Sequence, residues 1–147
     1  MFMFVFSLFI FGSIRLLAKT CPIDTLEGPD EKCYGFFPYG FFHNESEHLC
    51  TDFYGGNLAS IHNEETNEFI KNNSVFFFDS DDFWIGGKIG ENGEGWLWSD
   101  KSSFDYRNFY KGRRPSSKSY FGLAFNKNTG KWHGIKNETV LPYVCTI

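Results

Sequence analysis

The stretch GGNLASIHNEE, residues 55–65, decides the architecture. Two glycines stop whatever precedes them, because a helix commonly ends on a left-handed residue that glycine adopts without steric cost. Residues 57–61, Asn-Leu-Ala-Ser-Ile, are apolar at their centre and too few for a helix, so they read as a short buried strand. Asn63 then reads as a helix cap, with Glu64 and Glu65 in the first turn, where carboxylates oppose the helix dipole favourably. A helix end, a strand and a helix start within eleven residues predict a mixed fold.

Working outward, residues 43–53 place Ser46, Leu49, Cys50 and Phe53 at i, i+3, i+4 and i+7, one face of a helix. Asn44 and Glu47 have the spacing of a capping box at its start. The second helix carries Phe69 and Ile70 and is expected to end in Lys71-Asn72-Asn73. Short strands are expected at residues 33–37, 83–85, 95–98, 120–125, 131–132 and 143–145. Pro22, Gly28 and Pro29 make residues 21–33 a hairpin or clamped loop. Residues 99–118 carry no clear period, and so long an irregular stretch is either held by something or functional. The fold class is α+β, with two early helices and small strands after them.

Residues 1–18, MFMFVFSLFIFGSIRLLA, hold a dozen apolar residues followed by small ones, which suits a secretory signal peptide better than a membrane span. The expected organisation is a signal peptide over 1–18 and a single domain over 19–147. Cys21, Cys33, Cys50 and Cys145 all follow the expected cut, and four cysteines allow three pairings. Asn44-Glu-Ser, Asn72-Asn-Ser and Asn137-Glu-Thr are glycosylation sequons, which also fit a secreted, extracellular protein. Aromatic residues at 20% of the chain exclude a disordered polypeptide. The net charge of −4, which becomes −5 when Arg15 leaves with the leader, argues against nucleic acid as a partner.

Taken in order, Cys21-Pro22, Cys33-Tyr34, the helical Cys50, residues 55–65, Trp84-Ile-Gly-Gly87, Trp96-Leu-Trp-Ser-Asp100, Gly130-Lys-Trp132 and Pro142-Tyr-Val-Cys145 resemble the C-type lectin-like domain, long form, across residues 21–147. The resemblance implies a C-type lectin-like fold stapled by Cys50–Cys145 and Cys21–Cys33. It also implies a third bridge, whose two positions are occupied here by Leu123 and Asn137.

Relatives that hold sugar through calcium use a Glu-Pro-Asn or Gln-Pro-Asp triplet and an Asn-Asp pair after a tryptophan. This chain has Arg114-Pro115-Ser116 and, after Trp132, His133-Gly134. Calcium needs six to eight oxygen ligands, and a guanidinium among them repels it. No cofactor is therefore expected at the primary site. Asp79, Asp81 and Asp82, and Glu91, Glu94 and Asp100, read as solvated acidic runs, although a secondary calcium site is the competing reading.

The loop is basic instead. Arg107, Lys111, Arg113, Arg114 and Lys118 are five cations in twelve residues, while the rest of the mature chain has eight cations against 18 acids. Such a patch suits sulfate, phosphate or carboxylate through paired hydrogen bonds. The candidate ligand-binding residues are Lys111, Arg113, Arg114, Ser116, Lys118, Lys131 and His133. Phe104, Tyr106, Phe109 and Tyr110 read mainly as loop-packing groups, and Trp84, Trp96, Trp98 and Trp132 as core. His43 and His48 read as surface histidines. His62 and His133 have nothing in sequence that makes them an acid–base pair, so no enzyme is expected. The expected function is recognition of an extracellular glycan or protein ligand, with a protein–protein module that binds no sugar as the alternative.

Overall fold

The computed structural model describes residues 20–90, 95–112, 122–136 and 138–147. In chain order the elements are β1 (Thr25–Glu27), β2 (Cys33–Phe41), α1 (His43–Tyr54), β3 (Asn57–Leu58), α2 (Glu64–Phe77), β4 (Asp82–Ile89), β5 (Trp96–Trp98), β6 (Gly122–Asn126), β7 (Trp132–Ile135) and β8 (Leu141–Thr146). The sheet runs β1-β2-β8-β4-β6-β7, with β3 added to β8 and β5 to β4. Its neighbours are antiparallel except β4 and β8, which meet in parallel at Trp84 and Tyr143. The α+β reading holds.

The glycine pair closes α1 as expected: Gly55 has φ 69°, and the Gly56 N–H returns to the Cys50 carbonyl at 3.0 Å. Asn63 caps α2, its Oδ1 accepting the Thr66 N–H at 2.8 Å. The first residue of α1 is His43, as expected, but its cap differs: Glu45 Oε2, not Glu47, takes the Phe42 N–H at 3.1 Å. Asn44 is thus an exposed residue of the first turn. Glu47 faces inward and accepts from Asn57 Nδ2, Leu58 N and Ser99 Oγ, binding α1 to β3 and the turn after β5. Phe53, expected on the inner face, is 76% exposed.

The second helix also runs past the asparagines to Phe77. Asn73 Nδ2 donates back to the Phe69 carbonyl and Ser74 Oγ to the Lys71 carbonyl, so these polar side chains serve the helix rather than breaking it. The extra turn is held because Phe77 stacks on Phe36 at 4.9 Å and Phe78 enters the core. His43 is likewise no surface residue. It is 5% exposed, lies edge-on to Trp84, and its Nε2 is 2.9 Å from the Ile85 carbonyl oxygen. Burial lowers its pKa, outweighing the bond to Ile85.

The four tryptophans are all buried, as expected: Trp96, Trp98 and Trp132 among Phe83, Phe125, Ile61 and Ile70, and Trp84 with Leu58, Tyr143 and the Cys50–Cys145 bridge. Glycines let the layers approach. A Cβ on Gly86 would lie 2.5 Å from the Leu58 carbonyl oxygen, and one on Gly87 would lie 2.2 Å from Leu123 Cδ1. Leu123 is fully buried there, opposite Gly134. The disulfides are Cys21–Cys33 and Cys50–Cys145; the second joins α1 to β8 across 95 residues of chain.

Candidate functional site

The loop between β5 and β6 is described as far as Gly112, and almost every second residue of it is fastened. Phe104 stacks on Trp98 at 4.6 Å, Tyr106 meets the edge of Trp132, and Phe109 is buried and bridges to Trp132. Asn108 supplies the polar counterpart. Its Nδ2 donates to the Gly130 carbonyl, its carbonyl accepts the Trp132 N–H, and its Oδ1 accepts from Lys131 Nζ. The aromatic residues are therefore loop-packing groups in the main, as the sequence suggests. Tyr110 is the exposed exception, with Lys111 Nζ 5.3 Å from its ring centre.

A second set of bonds holds the loop's beginning. Asp100 accepts from the hydroxyls of Ser60 and Ser102 and from the Ser102 N–H. His62 Nδ1 lies 2.9 Å from Asp105 Oδ1, and its Nε2 lies 3.2 Å from Ser60 Oγ and 3.0 Å from Ser102 Oγ. Burial raises the Asp100 pKa, but the bonds from Ser102 and Ser60 and the field of His62 overcome it, and the net shift is downward. The bond from His62 lowers that of Asp105.

The row Asp105–His62–Ser102 has the order of a hydrolase triad, but its protons are placed otherwise. Each serine hydroxyl has one proton, and the ionised Asp100 takes both. With both serine protons directed to Asp100, the contacts of His62 fasten the loop. His133 is turned elsewhere, its Nε2 3.3 Å from Asp82 Oδ1, and the two histidines have separate partners. Burial acts to raise the Asp82 pKa; the His133 and Asn126 bonds reverse it.

This strap presents a group of cations. Arg107, Asn108, Phe109, Gly112 and Lys131 line a cavity of about 280 Å³. On the other side of Lys131, Tyr110, Asn126, Thr129 and His133 complete a second cavity of about 230 Å³. Of the predicted residues, the structure thus brings Lys131 and His133 together, with Lys111 exposed in the turn between the cavities' walls. Arg113, Arg114, Ser116, Lys118 and the sequon Asn137 lie outside the described residues. Arg107, counted in the basic run but not among the candidate ligand-binding residues, lines the first cavity.

At the described positions after Trp132 no side-chain oxygen is offered to calcium. The positions after Trp132 are a histidine already paired with Asp82 and a glycine without a side chain. In the acidic run, Lys127 Nζ sits on the carbonyls of Phe78 and Asp79, and its N–H on that of Asp81, so a cation of the chain itself occupies that corner. Among the described residues no group of three or more His, Cys, Asp or Glu is placed to hold a metal ion. No described helix is long and apolar enough to cross a membrane.

Sequence reading missed the His62 and Asp100 network and the inward role of Glu47. One signal was present: Asp100 and Ser102 have the two-residue spacing of an Asx turn.

The Lectin C-type domain matches residues 43–147. The C-type lectin BfL-2 of Bungarus fasciatus is 31% identical over 86% of this chain and 82% of its own length. The lactose-binding lectin l-2 of Anguilla japonica is 31% identical over 64% and 59% respectively. Among solved structures, a calcium-independent type II antifreeze protein superposes with a TM-score of 0.75 at 24% identity, covering 87% of this chain and 94% of that one. A family match across the whole region between α1 and β8, on a fold with the same topology, means that this chain belongs to the C-type lectin domain family.

Proposed function

We propose that the protein is a secreted, lectin-like binding protein that recognises an anionic extracellular ligand, a sulfated or acidic glycan, without calcium at the primary site. The observation that carries this is the pairing of Arg107 and Lys131 around one cavity, on a loop held by its own hydrogen bonds and aromatic contacts. Among the described residues, no carboxylate lines that cavity or its neighbour. Arg113, Arg114 and Lys118 follow in sequence and add to the same charge, with Ser116 among them as a hydroxyl donor and Lys111 just before. Fixed guanidinium and ammonium donors suit planar anions and lose little entropy on binding when their backbone is already held.

Binding rather than catalysis also fits the proton placement at His62. A glycan array probed in calcium and again in chelator tests the reading. Sulfated or acidic sugars are expected to bind in both conditions, and the Arg113→Ala/Arg114→Ala variant is expected to lose them while keeping its fold. Binding abolished by chelator overturns it.

Tyr110, half-exposed beside Lys111, favours one other reading: aromatic and cationic side chains together are common anchors of protein interfaces. Silence of the array under both conditions, with capture of an acidic protein that Arg107→Ala abolishes, supports that alternative.

A further inference from the structure

Most of the aromatic residues at the end of α2 are accounted for: Phe77 stacks on Phe36, and Phe78 lies 4.9 Å from Phe83. Phe76 is not. It is 82% exposed, and Val75 beside it is 50% exposed. One helical turn earlier stands Asn72, also exposed, the first residue of the sequon Asn72-Asn73-Ser74. Residues three and four apart share a helix face, about 5–6 Å between their Cβ atoms. A helical side chain leans over the turn before it, so the Phe76 ring inclines toward Asn72.

We infer that an N-linked glycan on Asn72 lies along α2 with its first sugar over Val75 and Phe76, covering the apolar strip that the fold leaves open. The inference rests on the reading of the chain as secreted. A pyranose ring has one face of C–H groups, and an aromatic ring offers the matching partner. Asn72 also borders a wide cleft formed with Glu27, Pro29, Glu65 and Glu68. That side is lined by three carboxylates, whereas the Phe76 side is apolar.

Attachment requires that Asn72 Nδ2 displace the pyrophosphate of a lipid-linked oligosaccharide at its anomeric carbon. The N–C1 bond forms, the C1–O bond breaks, an amide proton goes to base, and the lipid pyrophosphate leaves with the electron pair. The sequon is read through its hydroxyl, and here Ser74 is fully buried, with Oγ bonded to the Lys71 carbonyl. The modification therefore precedes formation of α2.

The test uses the full chain secreted from a eukaryotic host, with Asn72→Gln, Phe76→Ser and the double variant. Peptide mass gives occupancy; apolar dye binding and thermal melting report the cover. Asn72 is expected to be occupied. Asn72→Gln should at least double dye fluorescence and lower Tm by about 2–4 °C in the parent, and change neither in the Phe76→Ser background. Equal changes in both backgrounds overturn the inference and seat the glycan in the acidic cleft. Asn72 bare while Asn44 is modified overturns it and leaves secretion intact; a chain retained in the cell with every sequon bare overturns both.

Discussion

The indole N–H of Trp132 donates to Asn67 Oδ1 across 2.9 Å, and Asn67 Nδ2 donates in turn to the Gly130 carbonyl. One side chain of α2 thereby fixes both the turn before β7 and the tryptophan on which the basic loop packs. Asn67→Leu keeps the volume and removes the acceptor. Gly130 O retains Asn108 as partner, so the orphan is the Trp132 N–H, at a cost of about 1–3 kcal/mol. Denaturant unfolding measures it. Hydrogen exchange should also quicken at residues 104–109, whereas an effect confined to α2 would mean that Asn67 does not hold the loop.

The His62–Asp105 contact gives a separate handle on the same loop. His62→Ala leaves Asp100 its two serines and frees the segment around Asp105. Because Asp105 is open to solvent, global stability should change little. Ligand affinity should fall several-fold as the loop loosens. An unchanged affinity would show that Arg107 is positioned by the Asn108 bonds alone.

Burial of His43 sets a pH dependence. Its folded pKa lies below the ordinary 6.5, chiefly through desolvation, while Glu47 nearby acts in the opposite sense and Lys88 in the same one. The unfolded chain therefore binds the proton first, and stability present at neutral pH is lost as pH falls below about 6.5, with a slope of at most about 1.4 kcal/mol per pH unit. Asp82, Asp100 and Asp105 have lowered values and act only below about pH 4, where their protonation removes stability. Urea melts between pH 7 and 5 should show the slope in the parent and not in His43→Gln.

Gly87 and Leu123 should behave as a size pair. Gly87→Ala forces its new methyl onto Leu123 and is expected to cost about 1–3 kcal/mol. Leu123→Ala opens a cavity and costs about 2–5 kcal/mol. The double variant should cost less than the two together, since the added methyl enters the vacated space. Strict additivity would mean that the backbone, and not Leu123, resists the alanine.

What the sequence discloses and what it hides divides along the range of the contacts. Gly55, Asn63 and the four tryptophans act locally or through sheer apolar bulk, so composition and spacing find them. Glu47 spaces as well for a cap as for anything else; its partners are ten, eleven and 52 residues away, and no local pattern encodes them. His43 is hidden for the same reason, its cover being Ile85, Trp84 and Gly122. The end of α2 is misjudged because Lys-Asn-Asn has weak helix propensity, and the stacking of Phe77 on Phe36 overrides it. At the candidate site, the basic segment and Lys131 are named from the sequence, while the cavity that Lys131 forms with Arg107 requires the fold.

Removal of each disulfide should separate their roles. Cys50→Ala/Cys145→Ala opens the longer loop and is expected to cost about 4–5 kcal/mol, against about 3 for Cys21→Ala/Cys33→Ala. Thermal melts of both double variants would show whether the long staple dominates.

The place of β8 has a consequence for how the chain is made. Strand β8 lies between β2 and β4 and receives β3 as well, so the β1-β2 and β4-β6-β7 parts of the sheet join only through residues 141–146. A nascent chain that lacks them has no continuous sheet and no partner for Cys50. The sheet therefore closes only once residues 141–146 are in place, and a chain cut before Leu141 should yield no folded product rather than a weakened one.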